Sequence, residues 1–536
     1  MQYTFKPQES ISTISFAPMS ASGVREWLEA LPRANVGELS RQLYMALQQL
    51  SVLATKPALA AAILQETLPH LEHTAQLLMQ KFLLGGRRDA QQAQKAINLI
   101  HHFCRLTYRC ANNHRVGKMK AHNQTLLATE LSILRLDLLA YQMSYMDVSS
   151  DYWATFNDLV AECIDNKWLG LETRHGRVAD ILKSIILLST AQTNQLLARD
   201  IFALSEVLTD WAGETHLQPN NHGILCFPKT NLKPVSNPQI AQKEKAGLSL
   251  DTRKLASQLG DAVAGQDINL AIPNSGGLTL LTHVMKAWSG SLARHMQRSV
   301  INHNTRCLLG LAAIHQSLDA SGEQQALFTS DYKIALDRPD ERDVWNEAYR
   351  GSFVEAIDLP EQKYRPPMLT AITVTDLSPG GYGIRCNEPP SIFQTGELIG
   401  IEQRNNQLHI GLVRWLKQEG SSIKAGVELV SPNAEACLVR ITHSSGRDEA
   451  PQRGLWLEKS VKGGNQPSLI LPSVAFKPGN QVKVDISRKT YLMTLVRKVN
   501  ASARISVYQV KPVEEQKPIR PNKQPDDGFD SLFEIK

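Results

Sequence analysis

The residues whose types and spacing best suit a defined chemistry form the string Asp376-Leu-Ser378-Pro-Gly380-Gly381. A carboxylate, a hydroxyl and two glycines around one turn can bind the edge of a planar ligand that carries N–H donors. Guanine has such donors at N1 and N2, and its N7 and O6 are acceptors that suit arginine. The same residue types also form an ordinary Asx or Ser turn between two strands. The string alone leaves both interpretations open.

Two arginines four residues apart, Arg294 and Arg298, precede a strand predicted over Cys307–Ile314. Their planar guanidinium groups can hold a phosphate through two hydrogen bonds or stack on a base, whereas lysine supplies only the charge. Residues 268–318 contain no acidic residue, so the sequence predicts an anion-attracting segment in which no nearby carboxylate neutralises the cations. The alternative interpretation of the same spacing is a solvated helix end.

Together, the two motifs resemble those of PilZ domains, the bacterial receptor modules for cyclic di-GMP. The family pattern has an R-x-x-x-R arm ahead of a β-barrel and a D/N-x-S-x-x-G turn within it. The later predicted strands around Leu412-Val-Arg-Trp415 and Gly426-Val-Glu-Leu429 are also similar to the family. The resemblance covers about residues 290–440.

The resemblance implies a ligand and a site. The ligand is cyclic di-GMP, whose two phosphodiester charges suit the acid-free segment, and one copy or a stacked pair can bind. The turn contacts guanine, while the arm holds phosphates and stacks on bases. The implied ligand-binding residues are Arg294, Arg298, Asp376, Ser378 and Gly381.

One departure from the family is the long polar insertion predicted at 319–365, which separates the arm from the turn by more than the usual gap. The insertion region also contains a rival pair, Arg338 and Arg342, which lies nearer the turn. Acidic residues flank Arg342 on both sides, whereas the first pair directly precedes a strand and has no carboxylate beside it. We therefore favour Arg294 and Arg298.

An internal repeat predicts a second β module. Phe393 and Gly396, which lie ahead of a Leu-Val-Arg strand, recur at one constant offset as Phe476 and Gly479 ahead of a second Leu-Val-Arg strand. At the same offset, Lys459 and Val461 stand where the turn has its aspartate and serine. The sequence therefore predicts a degenerate PilZ-like module that lacks the polar signature.

Helical spacing of apolar residues dominates the first part of the chain, beginning with Val24, Trp27, Leu28 and Leu31. Further helical runs are predicted over 88–117, 121–146, 151–168 and 176–210, and a strand is predicted at Ile224–Phe227. The predicted fold is a multidomain α plus β chain in which an all-α helical bundle precedes an antiparallel barrel. The predicted domains are 1–213 (helical), 214–289 (connector and helices), 290–445 (PilZ-like barrel), 446–512 (second β module) and 513–536 (flexible tail).

Composition excludes several classes of protein. The chain has 42% hydrophobic and 21% charged residues and no apolar run long enough for a membrane span. Its seven cysteines are scattered and its start lacks the pattern of a secretory signal, which together favour the cytoplasm.

We find no motif of a catalytic or metal site and predict no enzyme activity, no cofactor and no metal. A net charge of +6 is too small to indicate nucleic-acid binding, although residues 90–129 form a second acid-free basic segment.

The sequence therefore predicts a cytoplasmic bacterial effector. It binds cyclic di-GMP at the junction of the helical domain and the barrel, and it couples that binding to a protein partner of the helical domain. The alternative hypothesis is a nucleotide-independent helical adaptor or scaffold with a degenerate PilZ fold. Pilus, flagellar, polysaccharide and virulence outputs all fit the resemblance equally.

Overall fold

The structure is a computed structural model, and it divides into two compact units. One unit comprises Met1–Gly310 with Met368–Val430, and the other comprises Leu311–Pro367 with Ser431–Lys536. The residues that the structure describes are 9–84, 90–219, 223–236, 247–289, 298–319, 324, 367–404, 407–443, 448–462, 464, 466–502 and 504–513. The predicted insertion and the predicted flexible tail therefore lie almost entirely outside the described residues.

The described residues from 9 to 289 form what we call the helical region. Its helices are α1 (Ala21–Glu29), α2 (Val36–Leu50), α3 (Pro57–Met79), α4 (Ala90–His114), α5 (Ala121–Met143), α6 (Ser150–Asp165), α7 (Val178–Thr190), α8 (Ala198–Ala212), α9 (Arg253–Val263) and α10 (Gly277–Trp288). A π-helical turn (Gln80–Leu84) extends α3, and a 3-10 turn (Thr193–Gln195) separates α7 from α8. No helix of the described residues is both long and apolar enough to cross a bilayer.

Helix α5 is the centre of the helical region, since it packs against α3, α4, α7 and α8. It is buried on nearly every side, which explains why its apolar residues show little preference for one face. Helices α1, α2 and α6 are amphipathic and have side-chain N-caps. For example, the Ser20 hydroxyl accepts a hydrogen bond from the Gly23 amide at the start of α1. The predicted helical bundle is confirmed.

The single helical run predicted over 176–210 is wrong, because the structure breaks it into α7 and α8. Gln192 adopts a left-handed backbone conformation with φ 50°, which ends the α-helical path. The Thr190 hydroxyl donates to the Ile186 carbonyl, a local bond that competes with the regular helix ladder. Thr190 is a weak helix former, and with the left-handed Gln192 it ends α7 ahead of the 3-10 turn.

Short strands accompany the helices. They are β1 (Glu172–Thr173), β2 (Gly176–Arg177), β3 (His216–Gln218), β4 (Ile224–Cys226) and β5 (Leu248–Asp251). The last three form a small antiparallel sheet in the order β3-β5-β4. The strand predicted at Ile224–Phe227 is therefore confirmed as β4.

The first barrel is closed and has six strands. They are β6 (Ser299–Leu309), β7 (Thr370–Ser378), β8 (Gly381–Cys386), β9 (Leu398–Glu402), β10 (Leu408–Glu419) and β11 (Ser422–Ser431), in the order β10-β11-β8-β7-β6-β9. The strand predicted over Cys307–Ile314 is wrong beyond Leu309. Gly310, with φ 87°, turns the chain into helix α11 (Leu311–Leu318).

The second barrel is also closed and six-stranded. Its strands are β12 (Glu435–Ile441), β13 (Gln452–Leu457), β14 (Ser468–Pro472), β15 (Gln481–Ile486), β16 (Lys489–Ala501) and β17 (Ile505–Pro512), in the order β12-β13-β14-β17-β16-β15. The predicted second β module is thus confirmed, although its first strand lies ahead of residue 446. The two barrels have the same topology. When the six strands of each barrel are numbered along the chain, the order around both barrels is 1-2-3-6-5-4, and strand 4 closes on strand 1.

Candidate ligand-binding site

The string with the clearest chemistry forms the hairpin between β7 and β8, and we call residues 376–381 the Asp376 turn. Ser378 pairs with Gly381 across the hairpin, and the Ser378 hydroxyl donates to the Gly381 carbonyl at 3.3 Å. The Gly380 carbonyl accepts a hydrogen bond from the Leu429 amide on β11 at 2.9 Å. These bonds hold the turn against the barrel wall, so its polar groups have defined positions.

Gly381 is required by the close approach of β11. A Cβ atom at this position would lie 1.9 Å from the Val427 carbonyl oxygen, and φ is 151°. No other residue type fits without separating the two strands. The glycine of the motif is thus explained by backbone packing alone, whatever its part in ligand binding.

The Asp376 carboxylate lies over the backbone of the neighbouring strand. Asp376 pairs with Gly383 on β8 across an irregularity in the ladder, and a Cβ at Gly383 would lie 2.0 Å from the Asp376 Oδ2 atom. Gly383 therefore provides the space that the carboxylate occupies. Gly383 was not predicted from the sequence as part of the site, although a glycine inside a predicted strand is a signal of such close approach.

The structure brings Arg298 to the turn. Ser299 and Val300 at the start of β6 pair with the residues Leu377 and Asp376 of β7, which sets Arg298 beside the hairpin. Its Nη1 atom donates to the Asp376 Oδ1 atom at 2.5 Å, and the side chains are 30% and 24% exposed. Arg294 and the rival pair at 338 and 342 lie outside the described residues.

Arg298 also lines a large cleft between the helical region and the first barrel, which belong to the same compact unit. The cleft has a volume of about 1170 Å³. Its barrel wall consists of Arg298 and residues 414–417 of β10. Its opposite wall comes from the α5–α6 connection, the end of α7 with the 3-10 turn that follows, and residues 231–236. This volume is large enough for a ligand of nucleotide size.

Trp415 gives the barrel wall an aromatic surface. A Cβ at Gly426 on β11 would lie 1.8 Å from the Trp415 Nε1 atom, so the indole lies directly against the β11 backbone. The side chain is partly exposed and lines the cleft. An indole held in this way presents a flat surface on which a base can stack.

The three cations of the barrel wall are paired with carboxylates. Arg298 contacts Asp376, Arg414 contacts Glu428 of β11, and the Lys417 Nζ atom lies 2.8 Å from Asp147 of the helical region. The hydrogen bond to Asp147 raises the pKa of the Lys417 ammonium above its usual value. The predicted absence of a neutralising carboxylate is therefore wrong, because Asp376 reaches Arg298 from a distant part of the sequence. An anionic ligand has to replace or share these partners.

Two arginines of the second acid-free segment are also paired or buried. Arg115 forms ion pairs with Glu130 of α5 and Glu162 of α6, at 2.9 and 2.7 Å. Arg109 of the same segment is buried. Lys95, Lys118 and Lys120 of the segment are exposed, so pairing and burial remove two arginines, and not the whole segment, from a surface that could contact nucleic acid.

The two walls of the cleft are joined at one edge. The Gln418 amide donates to the Tyr145 carbonyl at 2.8 Å, and Met146 forms a parallel β-bridge with Gln418. The ion pair of Lys417 with Asp147 lies beside this bridge. We call these contacts the latch. Since the latch residues 145–147 and Lys417 also line the cleft, a ligand there lies next to the contacts between the two regions.

Metal chemistry has no support in the described part of the chain. No group of three or more His, Cys, Asp or Glu side chains among the described residues is arranged to hold a metal ion. All seven cysteines are buried and none forms a disulfide.

Three family models match the chain. They are described as "Cyclic-di-GMP receptor FimW, N-terminal domain" over residues 22–221, "Cyclic-di-GMP receptor FimW, middle PilZ domain" over 346–436, and "FimW C-terminal beta-barrel domain" over 437–513. The matched ranges follow the order of the helical region, the first barrel and the second barrel. The family is one of receptors and not of enzymes.

A curated protein is similar over almost the whole chain. The cyclic-di-GMP receptor FimW of Pseudomonas aeruginosa is 22% identical, and the alignment covers 98% of both proteins. No solved structure matches this chain.

Proposed function

This chain belongs to the PilZ-domain family, and on that premise we propose that it binds cyclic di-GMP in the cleft beside the Asp376 turn. The observation that carries the proposal is the contact between Arg298 and Asp376 at 2.5 Å, because it joins the two family motifs at the wall of a cleft of nucleotide size. The name of the Pseudomonas aeruginosa relative, a cyclic-di-GMP receptor, supports the same ligand.

Each proposed contact follows from the chemistry of the side chain. The Asp376 carboxylate accepts hydrogen bonds from guanine N1–H and N2–H, and the Ser378 hydroxyl and the backbone at Gly381 bind the same base edge. Arg298 exchanges Asp376 for a phosphate or for the O6 and N7 atoms of guanine. Arg294 holds the second phosphate or stacks on a base. The ion pair between Arg298 and Asp376 holds both side chains in position for the ligand, which then replaces the contact between them.

We further propose that binding is coupled to the helical region through the latch. A phosphate in the cleft competes with Asp147 for Lys417, whose ion pair has an Nζ–Oδ2 distance of 2.8 Å. The ligand shifts the arrangement of the two regions by the difference between its affinities for the latched and unlatched states. A protein partner that binds the helical region in only one state then responds to the messenger. The seven unbridged cysteines support a cytoplasmic location.

The test is calorimetric titration of the full-length protein with cyclic di-GMP. Loss of one charged hydrogen bond costs about 1.5–3 kcal/mol, so Arg298→Ala, Arg294→Ala and Asp376→Ala each weaken binding about 10- to 100-fold. Lys459→Ala is the matched control, since Lys459 stands in the second barrel where the turn has its aspartate. Unchanged affinity in all three variants would reject the site.

The alternative is a nucleotide-independent adaptor whose first barrel has kept only the PilZ shape. It predicts no saturable binding of the wild-type protein at micromolar ligand. The paired cations of the barrel wall are the observation in its favour, because each already has a carboxylate partner. The same titration therefore separates the two functions.

A further inference from the structure

A fourth cation lines the cleft, and it differs from the three on the barrel wall. Lys233 belongs to the helical region, is exposed, and has no carboxylate partner among the residues that the structure describes. Arg298, Arg414 and Lys417 each contact a carboxylate. An anion entering the cleft thus meets one lysine whose charge the described residues leave uncompensated, and that lysine faces the barrel wall from the opposite side.

The loop that carries Lys233 is held firmly at both ends. The Asn157 side-chain amide donates to the carbonyls of Thr230 and Leu232 at 2.9 and 2.8 Å. After the lysine, Val235 exchanges two backbone hydrogen bonds with Leu225 of β4, at 2.8 and 3.0 Å. Asn157 is itself buried in α6. The backbone of Lys233 is therefore fixed by the core of the helical region, while its side chain remains exposed in the cleft.

Neutral amide side chains lie on the same wall. Asn194, in the 3-10 turn, and Asn231, in the loop, are exposed and line the cleft, and neither has a side-chain hydrogen bond to another described residue. By contrast, the neighbouring Gln195 amide donates to the Gln192 Oε1 atom at 2.7 Å. A carboxamide offers donors and an acceptor together, which suits a base edge that also carries both.

We infer that the helical region supplies half of the ligand site, with Lys233 binding a phosphate and Asn194 and Asn231 binding a guanine edge. The inference rests on the proposed function and extends it, because it makes the helical region part of the receptor rather than only a transmitter. A ligand bound in this way bridges the two walls. Its phosphate charge is shared between Lys233 and Arg298, and each wall of the cleft binds one base.

The first test compares two lysine variants of the full-length protein by calorimetry with cyclic di-GMP. Lys233→Ala weakens binding about tenfold, and the difference shrinks at high salt because exposed charges are screened. Lys118→Ala is the control, since Lys118 is an exposed lysine of the helical region that lies outside the cleft lining. It removes the same charge and leaves the affinity unchanged within about twofold.

The second test measures the affinity of two asparagine variants for cyclic di-GMP. Asn194→Ala and Asn231→Ala each weaken binding about fivefold, because one neutral hydrogen-bonding contact with the guanine edge is lost, and Lys118→Ala again serves as the control.

The outcomes are distinguishable from failure of the proposed function. If Arg298→Ala weakens binding about 10- to 100-fold while Lys233→Ala matches Lys118→Ala and both asparagine variants bind like the wild-type protein, the helical region makes no ligand contact and only this inference is overturned. If the wild-type protein shows no saturable binding, the proposed function fails and this inference fails with it.

Discussion

The two barrels of this protein have the same strand pairing but different chemistry at the same hairpin. In the first barrel the hairpin between the second and third strands carries Asp376 and Ser378, and Arg298 reaches the carboxylate from the preceding strand. In the second barrel Lys459 and Val461 stand at the corresponding positions, and Val461 is half exposed. The topology is therefore a scaffold, and the candidate site depends on a few side chains placed on it.

The glycines of the two hairpins also differ, in how closely each packs against its barrel. Gly381 packs so closely on β11 that a Cβ would lie 1.9 Å from the Val427 carbonyl oxygen, whereas a Cβ at Gly464 would meet nothing within 4 Å. Gly464 has φ 67°, so it needs glycine only for its backbone conformation. The glycine of the first hairpin is thus packed against its barrel, whereas Gly464 has open space where a Cβ would lie.

Substitution of Gly381 and Gly464 gives the largest expected difference between the two barrels, which is a difference in stability. Gly381→Ala forces β8 and β11 apart and lowers the stability of the first barrel by about 3 kcal/mol, whereas Gly464→Ala costs about 1 kcal/mol for the left-handed conformation. Amide hydrogen exchange measures both losses locally, in β8 and β11 for one variant and in β14 and β17 for the other. Equal losses in the two variants would remove the difference in packing on which the comparison depends.

An exchange of the polar residues between the two hairpins tests whether these side chains make the site. Asp376→Lys with Ser378→Val gives the first hairpin the residues of the second, and it weakens cyclic di-GMP binding about 100-fold, or about 2.7 kcal/mol, because a cation then faces Arg298. When the reverse change, Lys459→Asp with Val461→Ser, is added to the first variant, it creates no second site. Residues 431–434, which precede β12, contain no arginine that could form a matching arm. Circular dichroism checks that both variants fold, and recovery of binding by the reverse change would contradict this account.

The sequence allowed much of the architecture to be predicted, because its signals are local. Helical spacing predicted the bundle, and the Asp376 turn was predicted from a carboxylate, a hydroxyl and glycines at hairpin spacing. The repeat of Phe393 and Gly396 at Phe476 and Gly479 predicted the second barrel, and both phenylalanines are buried in the structure. The local errors were at element ends, where Gln192 and Gly310 take left-handed conformations.

The charge environment could not be predicted, because acidic partners come from distant strands. Residues 268–318 contain no acidic residue, yet Arg298 is paired with Asp376 and Arg306 with Glu402. For the same reason, the residues of the opposite wall of the cleft could not be predicted from the sequence. Lys233 and Asn194 have no motif in common with the arm, and only the packing of the helical region on β10 brings them near it.

The most direct test of the central claim is a hydrogen-exchange footprint of the full-length protein with and without cyclic di-GMP. The account predicts slower exchange in the Asp376 turn, in β10 around Trp415 and in residues 193–195 and 231–236, with no change in β13 and β14 of the second barrel. Protection confined to the second barrel, or saturable binding that leaves the Asp376 turn unprotected, would contradict it.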